Sequence, residues 1–277
     1  SGRGMRARGV SSDEAAAWLN PTIRGLMPKP SALMDLEKGA ARLAEAIITQ
    51  EKIGVISDYD VDGVSSAALL LRFLRAVGSD VKVYIPDRIS EGYGPSEKAV
   101  SSLKDQGAEL LLTLDCGVLS HDPLAHAADL GFTTIIVDHH QAGAELPHAL
   151  AVINPNRQDD ISGQGHLCDA GVVFLLLAAT NKVLRERGHY TTSLEPNMLQ
   201  WLDLVALATV ADVVPLKGLN RAYVTQGLKI MGRRDNLGIA CLSDVGGLKR
   251  RPDTYALGFV LGPRLNAAGR VGHADEA

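Results

Sequence analysis

Asp58, Asp60 and Asp62 put three carboxylates within five residues, and Gly63 follows directly. Charges this close repel one another unless a cation neutralises them. The spacing imitates the opening of an EF-hand calcium loop. The twelfth position of such a loop requires Glu, however, and here it is Leu69. The segment also follows a strand pattern, where an EF-hand needs a helix. The plainer alternative is a solvated acidic turn with one Asp capping a helix. Gly63 opens a helical pattern that runs on through Ser65 and Ser66, and amides at a helix start can receive a phosphate oxygen. Three further places carry reactive side chains: Asp115-Cys116-Gly117, Asp138-His139-His140 and Ala211-Asp212. Taken singly, a strand-end Asp reads as a turn former, a histidine pair as structural, and Cys116 as a small packing residue. If the fold gathers the Asp and His side chains at one edge, they form an oxygen and nitrogen donor set suited to Mn²⁺ or Mg²⁺.

The elements that must position them alternate along the chain. Strand patterns cover residues 52–57, 81–85, 110–114, 133–137 and 151–153, and helical patterns cover 64–77, 96–106 and 122–130. This alternation predicts an α/β fold, a parallel five-stranded Rossmann-like sheet with crossover helices. The strands are apolar on both faces, as a doubly covered sheet requires. Ligands of open parallel sheets sit beyond the carboxyl ends of the strands, which is where Asp58, Asp115 and Asp138 fall. Residues 1–50 read as a loosely ordered lead-in and a helix, with Asp35 as its cap and Leu36, Ala40, Leu43, Ala44 and Ile47 on its apolar face. Residues 51–165 form the sheet. Residues 166–277 are mainly helical, with patterns at 170–187, 197–210, 220–231, 239–245 and 255–261.

Composition narrows the classes. Across 277 residues, hydrophobic residues make up 46% and charged residues 22%, which excludes disorder and allows a large core. Aromatic residues make up 4%, which argues against a broad base-stacking platform. Three scattered cysteines exclude a disulfide scaffold and a CxxC metal site, and suit a reducing compartment. No secretory signal and no membrane-spanning run is evident, so the expected location is the cytoplasm. The net charge of −4 is uneven: from Pro215 onward there are ten Lys/Arg against five Asp/Glu. An acidic body joined to a basic C-terminal stretch suits a metal site beside a phosphate-gripping region.

In this order, the motifs resemble the DHH phosphoesterase superfamily and, within it, the RecJ family of single-strand-specific 5′→3′ DNA exonucleases. SDYDVDGVSS is similar to the first motif, LDCG to the second, VDHH to the signature and LATVADVVPL to the fourth. IPDRISEGYG, AVINPN and LCDAGVVF match in order and spacing, and LGPRLNAAGR resembles the motif closing the RecJ core. Ser57 stands where that family commonly has Gly. The chain ends shortly after the last motif, so the C-terminal DHH-associated domain and oligonucleotide-binding fold of RecJ proteins are expected to be absent.

The resemblance implies that Asp60, Asp62, Asp115, His139 and Asp212 hold two divalent cations, Mn²⁺ or Mg²⁺, with Asp115 as the bridge. Asp58 is a further ligand or a partner behind the ligands. Asp138 orients a histidine ring, and His140 faces the scissile phosphate. Metal-activated hydroxide would attack phosphorus, expel the 3′ oxygen and release a 5′-mononucleotide. Arg264, Arg270 and Asn266 would grip phosphates, with glycines letting the backbone approach. A Gly-rich turn with solvated arginines is the alternative for that segment. Tyr93 either stacks on a base or packs within a turn. The implied partner is single-stranded DNA, with a helicase or single-strand-binding protein as a further one, and the implied state is a monomer. Three rivals stand beside this reading. One is a DHH phosphoesterase acting on pyrophosphate, cyclic dinucleotides or short RNA. Another is a non-catalytic DNA-binding scaffold. The third is a phospho-acceptor receiver domain, which has no use for two histidines.

Overall fold

The computed structural model describes residue 11, residues 15–191 and residues 194–271, with the side chains of residues 16, 17 and 268–271 excepted. Two short helices, α1 (Ala15–Leu19) and α2 (Ile23–Leu26), lead to α3 (Leu36–Thr49). The apolar face of α3 is buried as its periodicity requires. Asp35 does not cap it, contrary to expectation. Its φ is +59°, in the left-handed region, and its carboxylate turns away to accept from the Val152 amide at 3.1 Å and from Arg157 at 2.6 Å.

The sheet strands are β1 (Ile53–Ser57), β2 (Val81–Tyr84), β3 (Leu110–Leu114), β4 (Thr133–Val137) and β5 (Ala151–Ile153). All neighbours are parallel, in the order β2-β1-β3-β4-β5. Four of the five strands are buried almost throughout, while β2, which carries Lys82, is half-buried at the edge. The crossovers are α4 (Val61–Ala76), α5 (Glu97–Asp105) and α6 (His121–Asp129). The strand order reverses between β1 and β3, and at that switch point the two following loops diverge to opposite faces and leave a crevice. The loops carrying Asp58–Asp62 and Asp115 leave the sheet there.

The second half is helical: α7 (Asp169–Glu186), α8 (Leu202–Ala211), α9 (Gly218–Met231) and α10 (Leu237–Val245). The stretch expected to be one helix from residue 197 begins as a 3₁₀ turn, Met198–Trp201, before α8. The helices α7 and α8 share one apolar core with α3, α4 and one sheet face. A second cluster, under α5 and α6, covers the other face. The end of the chain differs most from its sequence pattern. A single turn, α11 (Thr254–Ala256), runs into a π turn at Leu257–Leu261 and then α12 (Gly262–Val271). The Gly-rich segment is therefore helix, and Gly262 serves packing: it backs onto Ala211, where an added Cβ would lie 3.2 Å from the alanine Cβ.

Candidate metal centre

Backbone geometry aims the first loop. The Asp60 side chain caps α4, accepting from the Asp62 and Gly63 amides at 2.8 and 3.1 Å through one oxygen. The capping role foreseen for an acidic turn is thus real, and it leaves the second oxygen for other work. Gly63 must be glycine, since a Cβ there would lie 2.4 Å from the Asp58 carbonyl oxygen. Asp62 points inward and accepts from the Asp169 and Ala170 amides at 2.6 and 2.9 Å, at the start of α7. These amides, which have no partner within the helix, stabilise the Asp62 charge. Asp115 sits at φ +58°, a conformation disfavoured for a residue with a Cβ.

Asp115, Asp138 and Asp62 are all buried to within 1% exposure, and His139 Nε2 is aimed among the carboxylates. It lies 3.2 Å from Asp115, 3.5 Å from Asp62 and 3.8 Å from Asp212. Asp212 reaches this point because it ends α8. The Asp138 carboxylate takes the amides of His139, His140 and Val118, and also the His140 ring Nδ1 at 2.8 Å. Asp138 therefore orients His140, while the ring of His139 turns inward. Asn154 and Asn156 fasten the pair from behind by donating to the carbonyls of His140 and His139 at 2.9 and 2.5 Å.

Protonation behaviour follows from this crowding. Burial, then the neighbouring Asp60, pushes the Asp58 carboxyl up to about 7. Burial, with Asp62 and Asp60, takes Asp212 up to about 7. Burial and the Asp62 charge raise Asp115 well above the usual carboxylate range. Burial would also raise Asp138, but the hydrogen bonds from His140 outweigh it and hold the group below its ordinary value. In return, that bond to Asp138 raises His140. Side chains that cost this much to ionise together are the arrangement a bound cation relieves.

The donor atoms fit such a cation. Asp58 Oδ1, Asp115 Oδ1 and His139 Nε2 are buried with no hydrogen-bond partner, which is costly unless another ligand is satisfied. Three overlapping sets keep their ligand atoms within 4.8 Å of one another: Asp58-Asp60-Asp115, Asp62-His139-Asp212 and Asp115-His139-His140. Hard oxygen donors with imidazole match Mn²⁺ or Mg²⁺.

The other expected contacts divide. Asn266, on α12, accepts from the Val61 amide at 3.1 Å and lines a cleft of about 220 Å³ with Asp58, Tyr59, Asp60 and Arg88. Tyr93 donates to the Asp115 carbonyl at 2.9 Å and meets the His140 ring edge-on at 5.9 Å, so it packs against the site with half its surface open. Ser65 and Ser66 do not face the cleft. Ser66 is wholly buried beside Asp169, and Ser65 lines an apolar cavity on the other side of α4. The helix starts at Val61, three residues before its apolar pattern, so these two residues lie in its second turn, past the free amides of the helix start. Arg264 is exposed and donates to the Val260 carbonyl at 2.8 Å. The side chain of Arg270 lies outside the described residues.

Sequence reasoning misses two residues. Asp169 is fully buried against Ser66, with Asp62 and Asp138 close enough to raise its pKa further after burial. Its place at the head of an apolar helix reads as ordinary first-turn acid, and the quoted LCDAGVVF stretch that contains it is the signal that could have found it. Arg88 stacks over the Tyr59 ring at 5.3 Å and borders the same cleft as Asn266. It lies in the quoted IPDRISEGYG stretch, the one signal that could have found it.

The model of the DHH family, N-terminal domain, matches residues 52–209. The chain belongs to the DHH family. It is 40% identical over 272 residues to the single-stranded-DNA-specific exonuclease RecJ of Salmonella typhimurium, covering 96% of this chain and 46% of that protein. It is 36% identical to RecJ of Bacillus subtilis, covering 98% and 33% respectively. The chain therefore spans less than half the length of these curated relatives. Among solved structures, exonuclease RecJ bound to manganese matches with a TM-score of 0.78 at 35% identity, covering 91% of this chain and 60% of that one. RecJ of Thermus thermophilus in complex with Mn²⁺ matches with a TM-score of 0.79 at 32% identity, covering 98% and 37%.

Proposed function

We propose that this DHH chain carries the catalytic core of a metal-dependent exonuclease that degrades single-stranded DNA from the 5′ end to 5′-mononucleotides, in DNA repair and recombination. The observation that carries this reading is the pair of buried ligand atoms Asp115 Oδ1 and His139 Nε2, which make no hydrogen bond and are shared among overlapping ligand sets at the sheet switch point. The similarity to RecJ proteins supplies the substrate class.

Asp60, Asp62, Asp115, His139 and Asp212 would hold two divalent cations, Asp115 would serve both, and Asp58 would complete the set. Bound there, the cations supply a water of lowered pKa and charge stabilisation at the phosphoryl oxygens. Asp138 fixes the His140 ring through Nδ1, leaving Nε2 free to meet the scissile phosphate. Tyr93 holds the Asp115 backbone, and thereby the bridging carboxylate, in its left-handed conformation. Asn266 and Arg88 border the open side of the cleft, where a phosphate would enter, and Arg264 and Arg270 attract the following phosphates. The same reading has the chain act as a monomer in the cytoplasm, with a helicase or single-strand-binding protein presenting the strand. No helix among the described residues is long and apolar enough to cross a membrane.

The test is product analysis on single-stranded DNA labelled at either end, with and without Mn²⁺, beside pyrophosphate and a dinucleotide. Release of labelled mononucleotide first from the 5′ label, only with metal, is expected. Preference for pyrophosphate or the dinucleotide over the long strand would overturn the substrate assignment.

A further inference from the structure

Three of the four phenylalanines, Phe73, Phe132 and Phe174, are buried; the fourth, Phe259, is 70% exposed. Four residues earlier, Tyr255 is 65% exposed, and the two rings stack with centroids 4.9 Å apart at 25°. A chain this poor in aromatics leaves a flat hydrophobic pair in water only at some cost, and such patches mark contact surfaces. Phe259 sits within the π turn, a helix irregularity that recurs at functional positions.

Two neighbours say what the surface would meet. On one side in sequence stand Lys249, Arg250 and Arg251, all exposed and making no ion pair among the described residues. On the other, Arg264 is exposed as well. The π turn and α12 pack on α8, whose end is Asp212, and Asn266 of α12 bonds the Val61 amide at the cleft. The aromatic pair is thus built into the same helical stretch that borders the metal centre, with exposed cations before and after it in sequence. A positive track with a stacked aromatic pair is the combination that holds single-stranded nucleic acid, where phosphates meet cations and bases stack on rings.

We infer that Tyr255 and Phe259 form a base-stacking step for the strand leading to or from the metal centre, with Lys249, Arg250 and Arg251 holding its phosphates. This rests on the single-strand reading above. The partner class is single-stranded nucleic acid without base preference, because every base offers a π-face.

The test is binding by fluorescence anisotropy in EDTA, comparing oligothymidylate with an abasic oligomer of the same length. Wild type should prefer oligothymidylate. The Tyr255→Ala/Phe259→Ala pair should lose about five- to a hundredfold of that preference, with an unchanged salt slope. Phe259→Trp should retain it, and the new indole fluorescence should be quenched by oligothymidylate but not by the abasic strand. Retained preference in the alanine pair, or an indole blind to the bases, overturns the inference; the exposed face then belongs to a protein contact. If wild type binds oligothymidylate in EDTA and digests it with Mn²⁺ while the alanine pair binds it equally well, only this inference falls. If wild type neither binds nor digests it, the single-strand reading falls too.

Discussion

The sheet edge and the C-terminal helical stretch solve opposite problems. At the edge, Asp58, Asp62, Asp115 and Asp138 are buried, ringed by backbone and held at fixed strand ends. Along residues 249–267, Lys249, Arg250, Arg251, Tyr255, Phe259 and Arg264 are exposed on the helix and the loop before it. One region concentrates like charge in low dielectric and needs a cation to tolerate it. The other spreads opposite charge in water, where each contact is weak and screened. Chemistry tied to rigid strand ends gains from burial, whereas recognition of a long polyanion gains from number. Substitutions in the two regions should therefore differ in kind, large and local at the edge, small and additive on the helix.

The sharpest way to break this contrast is Asp115→Ala. It removes a donor common to two ligand sets and should cut cleavage by more than the ~10²–10³-fold lost with a single electrostatic contact. Calorimetric Mn²⁺ titration should show binding lost in parallel. Cleavage within tenfold of wild type would mean the edge is not the reactive centre.

The next effect is on stability. Asp58 and Asp212 are raised to about 7 in the folded state, from an ordinary value near 3.8. The folded metal-free chain then binds more protons than the unfolded chain between these values, so its stability falls as pH rises from about 4 to about 7. His140, raised by Asp138, adds in the same direction: its contribution is full below its unfolded value and is lost as pH rises through the folded one. Asp138, lowered, acts only in acid below this window. In EDTA the melting temperature should drop between pH 5 and pH 8, and Mn²⁺ should reverse the drop. A flat metal-free profile would show that the carboxylates are not crowded. Charge changes at Lys249–Arg251 should leave this profile unaltered.

The contrast also explains what was legible in the sequence. Strands β3, β4 and β5 coincide with their apolar runs because a doubly covered strand leaves little choice of residue. Asp58, Asp115 and Asp138 were visible because each follows such a run, and the parallel topology then carries them to one edge. Three-dimensional packing hid the rest. Ser65 and Ser66 fall in the second turn, because α4 starts at Val61 and not at the Val64 where the apolar pattern begins. Asp169 resembles routine helix-start acid, and only tertiary contact makes it a buried neighbour of Asp62. In LGPRLNAAGR, glycine and proline read as a turn, but the helical run continues from Thr254 through the π turn into α12, Pro263 follows directly on that irregularity, and Gly262 permits close packing on α8.

An intermediate case tests where the edge ends. Asp138 belongs to none of the three ligand sets and acts by holding His140, so Asp138→Asn should cost about 10–100-fold in turnover or metal affinity. The asparagine keeps the shape but loses the charge that raises His140. The pH–rate profile should therefore shift its histidine limb downward, which a merely misfolded variant would not do. An unshifted limb would mean that His140 takes no part in turnover.

The smallest effect belongs to the helix. Arg264 already spends one guanidinium nitrogen on the Val260 carbonyl, leaving its remaining donors to solvent or a phosphate. If it neutralises one phosphate, Arg264→Ala should weaken single-strand binding only a few-fold and equally for all sequences, because phosphate contacts carry no base information. The loss should appear mainly as a shallower salt dependence, by about 0.7 in the log–log slope. Arg264→Lys should restore the slope, since it keeps the charge, though not the Val260 bond. That pair separates the two roles the structure allows. If Arg264→Lys loses stability as Arg264→Ala does while neither changes the slope, the arginine is a helix brace; if Lys restores the slope that Ala loses, the residue belongs to the phosphate track, and the C-terminal stretch differs from the sheet edge in the way its exposure implies.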